Sequence, residues 1–324
     1  MTQLKPTGKS LWKFNTDFEM RILVTGATGF VGKTLIQRMS ESNFPDVAIT
    51  VRDNNRARLM FSKLPLKYIA IDENLAASIR SFNPEIVIHL AAYFTGRSDN
   101  ESIDALVDAN IKFPTHVLEA LRGTACKAFI NVGTFTEFVY GAGKNSYNNL
   151  YSATKSALRP IVDYYHKEAG YKWINVIVYS PYGRKNYSSK KVVDYLIDAM
   201  DSNQPVAFSG GEQKLDFIHV DDMAEFFVRL ISRIDDIHDD FTELHLGTGE
   251  CHSIREVARI IEQVFNKRIN AEWGKLPYRE NEAMHTVAPI AAMIKLLKWH
   301  PRISLEEGIK ILRTDMLSNV NRGG

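Results

Sequence analysis

A tyrosine and a lysine four residues apart, Tyr151 and Lys155 in the segment LYSATKSA, could together move a proton. On a helix, residues at this spacing lie on the same face, one turn apart. A free phenol has a pKa of about 10, and a neighbouring ammonium group lowers that pKa because it stabilises phenolate. The same spacing also arises by chance in many helices, so the surrounding elements must decide whether the pair is catalytic.

The elements that must position this pair begin with a glycine-rich turn. Gly26, Gly29 and Gly32 lie in RILVTGATGFVGKTLIQRM, between an apolar strand and an amphipathic helix. Backbone N–H groups in such a turn, together with the N-terminus of the helix, bind a pyrophosphate group well. The turn therefore predicts a dinucleotide cofactor at the start of the first strand–helix–strand unit, and the alternative is a tight turn without a ligand.

Short apolar runs alternate with amphipathic stretches from Met20 to about residue 180. This rhythm is typical of strand–helix–strand units whose parallel sheet is buried on both faces. It predicts an α/β fold with a doubly wound sheet and ligands at the carboxyl ends of the strands. The predicted strands are 21–25, 47–51, 67–71, 85–90, 126–132 and 173–179, and the predicted helices between the later strands are 103–121 and 150–169.

The pattern changes after Pro181, which indicates a second, smaller lobe. Ser253 with Glu256, and Ser304 with Glu307, each match a capping box and predict helices over 253–266 and 304–317. We therefore expect an N-terminal tail over 1–19, a cofactor-binding domain over 20–180, and a lobe over 181–324. Parts of that lobe near 218–247 are expected to return to the first domain.

Composition narrows the classes of partner. The formal net charge is +2 with no long basic run, so neither nucleic acid nor a membrane is expected as a partner. Residues 1–19 lack the apolar core of a secretory signal, and no run is long enough for a transmembrane helix. Cys126 and Cys251 lack metal-ligand spacing, so we expect no metal site, no disulfide, and a cytoplasmic protein.

The turn TGATGFVG, with its GxxGxxG spacing, resembles the fingerprint of extended short-chain dehydrogenases/reductases, the NAD-dependent epimerase/dehydratase family. HLAA at 89–92, GGEQKLDFIHVDDMA, LHLGTGECHSIREV and LPYRENEAM resemble further motifs of its nucleotide-sugar enzymes. The nearest pattern is that of the CDP-abequose and CDP-paratose synthase group, which reduces CDP-4-dehydro-3,6-dideoxyglucose with NADPH. The resemblance implies a Rossmann-like doubly wound parallel sheet, a smaller C-terminal α/β substrate-binding lobe, and a homodimer through helices 103–121 and 150–169.

The residues after the second predicted strand bear on the choice between NADP and NAD. An acidic residue there would bind the ribose hydroxyls of NAD, whereas the guanidinium of Arg52 suits a 2′-phosphate. NADP is therefore the expected cofactor, with Arg56 or Arg58 assisting, and Asp53 keeps NAD open. The resemblance implies further cofactor contacts at Thr28, Phe30, Val31, Asp72, Leu90, Ala91, Ala92 and Asn110, besides the three glycines, Tyr151 and Lys155.

The resemblance also implies a Ser or Thr that hydrogen-bonds the reacting oxygen, and two residues qualify. Counting from the predicted strand selects Thr134, which we favour, and counting back from VYG at 139–141 selects Thr136. Glu137 follows Thr136 where sugar 4,6-dehydratases have Asp, but Phe138 replaces their glutamate, which argues against dehydration. The substrate residues expected from the resemblance and from position are Arg279 for the diphosphate, Lys214 in place of the family's arginine, Tyr93 and His219.

The expected activity is NADPH-dependent reduction of a keto-deoxysugar nucleotide, with a 4-keto, CDP-linked substrate favoured. The nucleotide-diphosphate sugar is thus the expected partner. A nucleotide-sugar 4-epimerase with tightly bound NAD is the first alternative. A non-catalytic NADP-binding regulatory protein is the second.

Overall fold

The computed structural model describes residues 20–44, 46–97, 99–138, 146–184 and 190–320. The predicted tail over 1–19 and the VYG segment at 139–141 lie outside these ranges. The first half alternates strands and helices. In chain order the elements are β1 (Arg21–Thr25), α1 (Phe30–Glu41), β2 (Asp46–Val51), α2 (Asn54–Met60), β3 (Leu66–Ala70), α3 (Leu75–Phe82), β4 (Ile86–His89), α4 (Asn100–Val107), α5 (Phe113–Ala120), β5 (Ala128–Thr134), α6 (Leu150–Ala169) and β6 (Lys172–Val178).

The second half has shorter strands and longer gaps between them. Its elements are β7 (Ser180–Tyr182), α7 (Val192–Ala199), β8 (Val206–Phe208), β9 (Lys214–Leu215), β10 (Phe217–His219), α8 (Val220–Ser232), β11 (Phe241–Leu246), β12 (His252–Ser253), α9 (Ile254–Phe265), β13 (Ala271–Trp273), α10 (Ala291–Leu297) and α11 (Leu305–Val320). The helices predicted from the two capping boxes are confirmed as α9 and α11.

The main sheet has seven parallel strands in the order β11-β6-β5-β4-β1-β2-β3. Its strands are apolar on both faces: Ile22 and Val24 pack into one core cluster, and Leu23 packs into the cluster on the other side. This two-sided burial is why the strands are continuous apolar runs. The predicted doubly wound α/β fold is confirmed, and the strand order reverses between β1 and β4, where such sheets bind ligands.

Two features of the sheet half differ from the predicted elements. The edge strand β11 was not predicted as a strand. The predicted helix 103–121 is divided by a π-helical turn over Asp108–Lys112, in which the N–H of Phe113 donates to the carbonyl of Asp108. Pro114 in the first turn of α5 has no N–H to continue the α-helical ladder, which gives the helix a reason to change its winding here.

The segment from β10 to β11 joins the sheet half to the second half. Helix α8 packs beside α1, and Arg38 on α1 forms an ion pair of 2.7 Å with Glu225 on α8. Asp216, which is fully buried, accepts hydrogen bonds from the N–H groups of Thr248, Gly249 and Ala288 at 2.8, 2.9 and 3.1 Å. One carboxylate therefore ties the loop after β11 and the segment before α10 to the start of β10.

The second lobe has its own apolar core. Helices α7, α9 and α11 contribute Leu196, Ile261 and Ile309 to one buried cluster, which also contains Tyr182 from β7. Within the described ranges, no helix is long and apolar enough to cross a membrane. The same ranges contain no group of three His, Cys, Asp or Glu side chains placed to hold a metal ion.

Candidate functional site

The glycine turn between β1 and α1 lies at the reversal point of the sheet. Gly26 has a φ of 72°, and a Cβ there would lie 2.5 Å from the backbone nitrogen of Ala91. A Cβ on Gly32 would collide with the backbone of Gly26 and Ala27, so helix α1 packs this closely only because residue 32 is glycine. Both positions accept only glycine without a shift of the backbone.

Gly29 leaves the N-terminus of α1 open to an anion. It is exposed, it occupies the N-cap position, and the first turn of α1 carries no acidic side chain. The first N–H groups of a helix have no partner within it, and the helix dipole attracts negative charge to them. This geometry fits the pyrophosphate of a dinucleotide. Thr28, Phe30 and Val31, which flank Gly29, are half-buried.

The HLAA segment lines the other side of this turn. The Leu90 N–H donates to the carbonyl of Thr25 at 3.2 Å, and the Ala91 N–H donates to the Thr25 hydroxyl at 3.3 Å. Ala92, one residue further along, is exposed. The structure thus brings Leu90 and Ala91 against Gly26, as expected for two strands that end at the same edge.

The residues after β2 and β3 are held in different ways. Arg52 is exposed and has no ion-pair partner among the described residues. Asp53 is the N-cap of α2 and accepts a hydrogen bond of 2.9 Å from the N–H of Arg56. Arg58 contacts the Tyr68 ring and is therefore occupied. Asp72, like Asp53, accepts a hydrogen bond from a backbone N–H, that of Asn74 at 2.8 Å. Each of these two carboxylates therefore already stabilises a local turn.

Helix α6 carries Tyr151 and Lys155 at its N-terminal end. The helix begins because the Asn149 side chain caps it and accepts from the Ser152 N–H at 2.9 Å. Lys155 is only 2% exposed, and burial lowers the pKa of its ammonium to about 8 although the Glu137 carboxylate favours the charged form. The lysine is therefore mostly charged at neutral pH.

The pKa of the Tyr151 phenol is not lowered, as the neighbouring Lys155 alone would lead one to expect. Its pKa lies above the ordinary value, because burial disfavours phenolate and the Glu137 carboxylate repels it. The effect expected from the Lys155 ammonium alone is thus outweighed by desolvation. At neutral pH the phenol carries its proton and can act as a donor.

Both candidate threonines lie at the carboxyl end of β5, where a 3₁₀ turn over Phe135–Glu137 begins. Thr134 caps this turn: its hydroxyl accepts from the Thr136 N–H at 3.4 Å, and its own N–H donates to Glu137 at 2.8 Å. The Thr136 hydroxyl lies 3.0 Å from that of Thr134 and accepts from Ser152 at 2.7 Å. Ser152 follows Tyr151, so these bonds join β5 to the start of α6.

A partly buried charged network joins Glu137 to two residues, Arg159 and Glu243, that no sequence motif indicated. Arg159 on α6 donates to Glu243 on β11 at 2.6 Å and lies 3.9 Å from Glu137, which is 1% exposed. Burial opposes ionisation of Glu243, but His245, Arg159 and Asn175 outweigh it and hold the pKa of this carboxyl at about 2. Burial raises the pKa of Glu137.

Asn110 lies in the π-helical turn and is fully buried. Its Oδ1 accepts from the Tyr93 N–H at 2.8 Å, and its Nδ2 donates to the Tyr93 carbonyl at 3.0 Å and to the Thr154 hydroxyl at 3.0 Å. The amide therefore fixes the loop after β4 against α6, next to Lys155. Both polar atoms of the Asn110 side chain are thus bonded within the protein.

Two further residues near Tyr151 were not indicated by any motif. Phe94 is 44% exposed, and its ring meets the Tyr151 ring edge-on with centroids 5.0 Å apart. The Lys191 Nζ, at the start of α7, lies 4.9 Å from the centroid of the Phe94 ring. Burial lowers the pKa of the Lys191 ammonium. The sequence held a signal for Phe94 alone, since it is an apolar residue directly after HLAAY, at the carboxyl end of a strand.

The four expected substrate residues lie on different elements of the chain. Tyr93 is 39% exposed and belongs to the same loop as Phe94. His219 is buried; its Nδ1 accepts from the Asp221 N–H at 3.2 Å and so caps α8. Lys214 on β9 lines a groove beside α9, and Arg279 is exposed with no ion-pair partner in the described ranges.

Comparison with known proteins finds similar sequences over most of the chain. The chain is 29% identical over 265 residues to the CDP-abequose synthase of Yersinia pseudotuberculosis, covering 82% of this chain and 91% of that protein. It is 26% identical over 335 residues to a probable UDP-glucuronate 4-epimerase of Rhizobium meliloti (strain 1021), covering 90% and 95%. The similarity to CDP-abequose synthase confirms the resemblance inferred from the motifs.

The fold is shared with solved structures. The UDP-glucuronic acid 4-epimerase of Bacillus cereus, in complex with UDP-glucuronic acid and NAD, superposes with a TM-score of 0.80. The match covers 93% of this chain and 100% of that one at 22% identity. The model of the NAD dependent epimerase/dehydratase family matches residues 22–242, a range that runs from β1 into β11 and includes Tyr151 and Lys155. The chain therefore belongs to the NAD dependent epimerase/dehydratase family, the extended short-chain dehydrogenases/reductases.

Proposed function

We propose that this protein uses NADPH to reduce the keto group of a keto-deoxysugar nucleotide, with a 4-keto, CDP-linked substrate favoured. The observation that carries the proposal is a protonated phenol, Tyr151, one helical turn from the buried ammonium of Lys155. Both lie at the edge of the sheet where the glycine turn fits a dinucleotide. The similarity to CDP-abequose synthase over most of both chains supports the substrate class.

Each residue of the proposed site has a separate role in the reduction. When bound, the reduced cofactor supplies a hydride to the carbonyl carbon. Tyr151 donates its proton to the carbonyl oxygen as negative charge develops there, and the Lys155 ammonium stabilises the phenolate that remains. Thr136 hydrogen-bonds the reacting oxygen in this proposal, because Thr134 already caps the 3₁₀ turn and is more deeply buried.

Reduction and epimerisation begin with different protonation states of the tyrosine. An epimerase must begin by removing a proton from a sugar hydroxyl, which needs phenolate. A reductase begins with the neutral phenol, and the reduced nicotinamide brings no positive charge that would lower the phenol pKa. The protonated phenol of Tyr151 suits the reduction, in which the protein gives up a proton.

The glycine turn, Leu90, Ala91 and Lys155 would hold the dinucleotide, and Arg52 would select NADP. Asp53 could bind the ribose hydroxyls of NAD, but its carboxylate caps α2. Arg52 has no partner among the described residues and can pair with a 2′-phosphate. The Asp53 carboxylate is already hydrogen-bonded, whereas the Arg52 guanidinium is available, and this difference supports NADP over NAD.

Replacing Arg52 by alanine is expected to lower kcat/KM for NADPH by about 10- to 100-fold, because a charge-assisted pair with phosphate is lost. The kcat/KM for NADH should change little. Steady-state kinetics with both cofactors measures this, and Arg58→Ala is the matched control because Arg58 lies over Tyr68. A wild-type preference for NADH, or an unchanged preference in Arg52→Ala, would contradict the assignment.

Two cations are available for the diphosphate of the substrate. Arg279 is exposed without an ion-pair partner in the described ranges, and Lys191 lies beside Phe94 near the catalytic pair. Guanidinium and ammonium groups both bind phosphate oxygens well. Lys214 contributes less in this proposal because it lines the groove beside α9. The proposal includes a homodimer through α4–α6, where Val107 and Tyr164 are exposed.

A nucleotide-sugar 4-epimerase is the second candidate, favoured by relatives and solved structures that carry that name. One assay separates the two: purified protein is mixed with NADPH or NADH and with CDP-, dTDP-, UDP- or GDP-linked 4-keto sugars. Consumption of NADPH with formation of the 4-hydroxy sugar is the expected result. Tightly bound NAD in the purified protein, with two sugars interconverting without added cofactor, would identify an epimerase. Binding of NADPH without turnover of any sugar would indicate a non-catalytic protein.

A further inference from the structure

Glu137 is a buried carboxylate to which the proposed reduction assigns no role. Its side chain is 1% exposed, and its Oε1 accepts a hydrogen bond of 2.8 Å from the Thr134 N–H. Gly133 leaves room for this oxygen, since a Cβ there would lie 2.7 Å from it. Burial raises the pKa of the carboxyl, and the Thr134 N–H and the charges of Lys155 and Arg159 oppose that rise. The fold therefore accommodates a charge that is unfavourable to bury unless it is paired and hydrogen-bonded.

Arg159 joins this carboxylate to the helix that carries Tyr151 and Lys155. Its Nη1 lies 3.9 Å from Glu137 Oε2, and its Nη2 donates to Glu243 at 2.6 Å. Arg159 follows Lys155 by four residues on α6, and Lys155 follows Tyr151 by four, so the three side chains lie on successive turns of one side of the helix. The Glu137 carboxylate thus lies beside that side of α6.

The buried Lys155 ammonium is favoured by a nearby negative charge. It is 2% exposed; burial lowers its pKa, and among the described residues the Glu137 carboxylate is the charge that raises it. His89 on β4 brings no charge, because burial and the Lys155 ammonium hold the pKa of its imidazole well below the ordinary value. Burial and the Glu137 carboxylate both raise the pKa of the Tyr151 phenol. Glu137 thus favours two proton-bearing groups at once, the ammonium and the neutral phenol.

Resting on the proposed function, we propose that Glu137 is a positioning residue of the reduction, whose carboxylate keeps the buried Lys155 ammonium charged while Tyr151 gives up its proton. It acts through the lysine and transfers no proton itself. Its charge also repels the phenolate that remains after the transfer. Removing the charge should therefore have unequal effects across the pH range: a loss where the lysine would otherwise still be charged, and no loss at lower pH.

The test is the pH profile of Glu137→Gln, which loses the charge but keeps a side-chain oxygen that can accept from the Thr134 N–H. The kcat/KM for CDP-4-keto-3,6-dideoxyglucose at saturating NADPH is measured between about pH 5.5 and 10. The falling limb, expected near pH 8 in the wild type, should move down by about one pH unit, which makes the variant about tenfold slower than the wild type at about pH 9. At about pH 6, where the lysine is charged in both proteins, the two values should agree within about threefold.

Two control variants separate the charge of Glu137 from its packing. Glu137→Asp keeps the charge and should keep the limb close to that of the wild type. Glu85→Gln removes another ion-paired carboxylate, which accepts from the Arg21 N–H at 3.2 Å and lies 3.3 Å from the Lys127 Nζ, just before β4 and at the opposite end of the sheet. Its profile should match the wild type. NADPH binding, measured by fluorescence, should be equal in all four proteins.

A limb that stays in place in Glu137→Gln would overturn the inference and leave the reductase proposal intact. A loss of the same size at every pH would also overturn it, because that result assigns Glu137 to the fold alone. So would a limb that moves as far in Glu137→Asp as in Glu137→Gln. If the wild type binds NADPH but does not reduce the sugar, the proposed function itself fails and the inference fails with it.

Discussion

Replacing Tyr151 by phenylalanine is expected to lower kcat by about 10²- to 10⁴-fold, which is the range that a positioned acid contributes. The substitution removes one oxygen from a half-buried ring and leaves the edge contact with Phe94 in place. Binding of NADPH should therefore change little. Single-turnover measurements with saturating NADPH and a 4-keto sugar nucleotide report the chemical step, and fluorescence titration reports the binding.

Tyr164 offers a matched control for this experiment. It lies on the same helix α6, it is 52% exposed, and it contacts only Tyr165 among the described aromatic rings. Tyr164→Phe should retain wild-type kcat. Near-normal turnover by Tyr151→Phe would remove the phenol from the mechanism, and equal losses in both variants would point to a general effect on the fold.

Among the substitutions considered, loss of the Lys155 charge is expected to have the second largest effect on the rate of reduction. Because the pKa of this buried ammonium is about 8, kcat/KM for reduction should fall as the pH rises through that value. Lys155→Met should lower kcat by at least about 100-fold at neutral pH and remove this limb from the profile. Rates measured between about pH 6 and 10 provide the test.

Stability changes in the opposite direction over this range, which separates catalysis from unfolding. Lys155 releases its proton near pH 8 in the folded protein, whereas an unperturbed lysine releases it near about 10.4. Between these values the unfolded chain binds more protons, so this group makes the folded state more stable as the pH rises. A wild-type rate that stays constant to pH 10, or a falling limb that persists in Lys155→Met, would assign the titration to another group.

Local patterns were sufficient for the glycine turn and for most of the main sheet. Gly26 and Gly32 are dictated by contacts within a short stretch and the adjacent β4, and the buried strands are continuous apolar runs. Strand β11 was missed as a strand because Phe241–Leu246 mixes apolar and polar residues at the sheet edge. The π-helical turn was missed because its cause, Pro114, looks like an ordinary first-turn proline.

The contacts and charges around Tyr151 and Lys155 were harder to predict than the two residues themselves. Phe94 and Lys191 are nearly a hundred residues apart, and only the packing of the lobes brings them together. The same is true of Arg159 and Glu243, which no motif connects. The raised pKa of Tyr151 also depends on the depth of its burial, which spacing along a helix cannot indicate. Spacing indicated Tyr151 and Lys155 as the candidate groups, and tertiary contacts set the pKa of each.

The position of β11 bears on how this protein can be made. Because β11 completes the sheet beside β6, and α8 covers α1, a polypeptide that stops near residue 180 would present β6 as a bare edge. Such an edge invites pairing with other molecules. During synthesis, some sixty-five residues must follow residue 180 before β11 can pair with β6 and complete the sheet. A fragment that ends near residue 180 is therefore expected to associate through β6, which β11 covers in the longer chain.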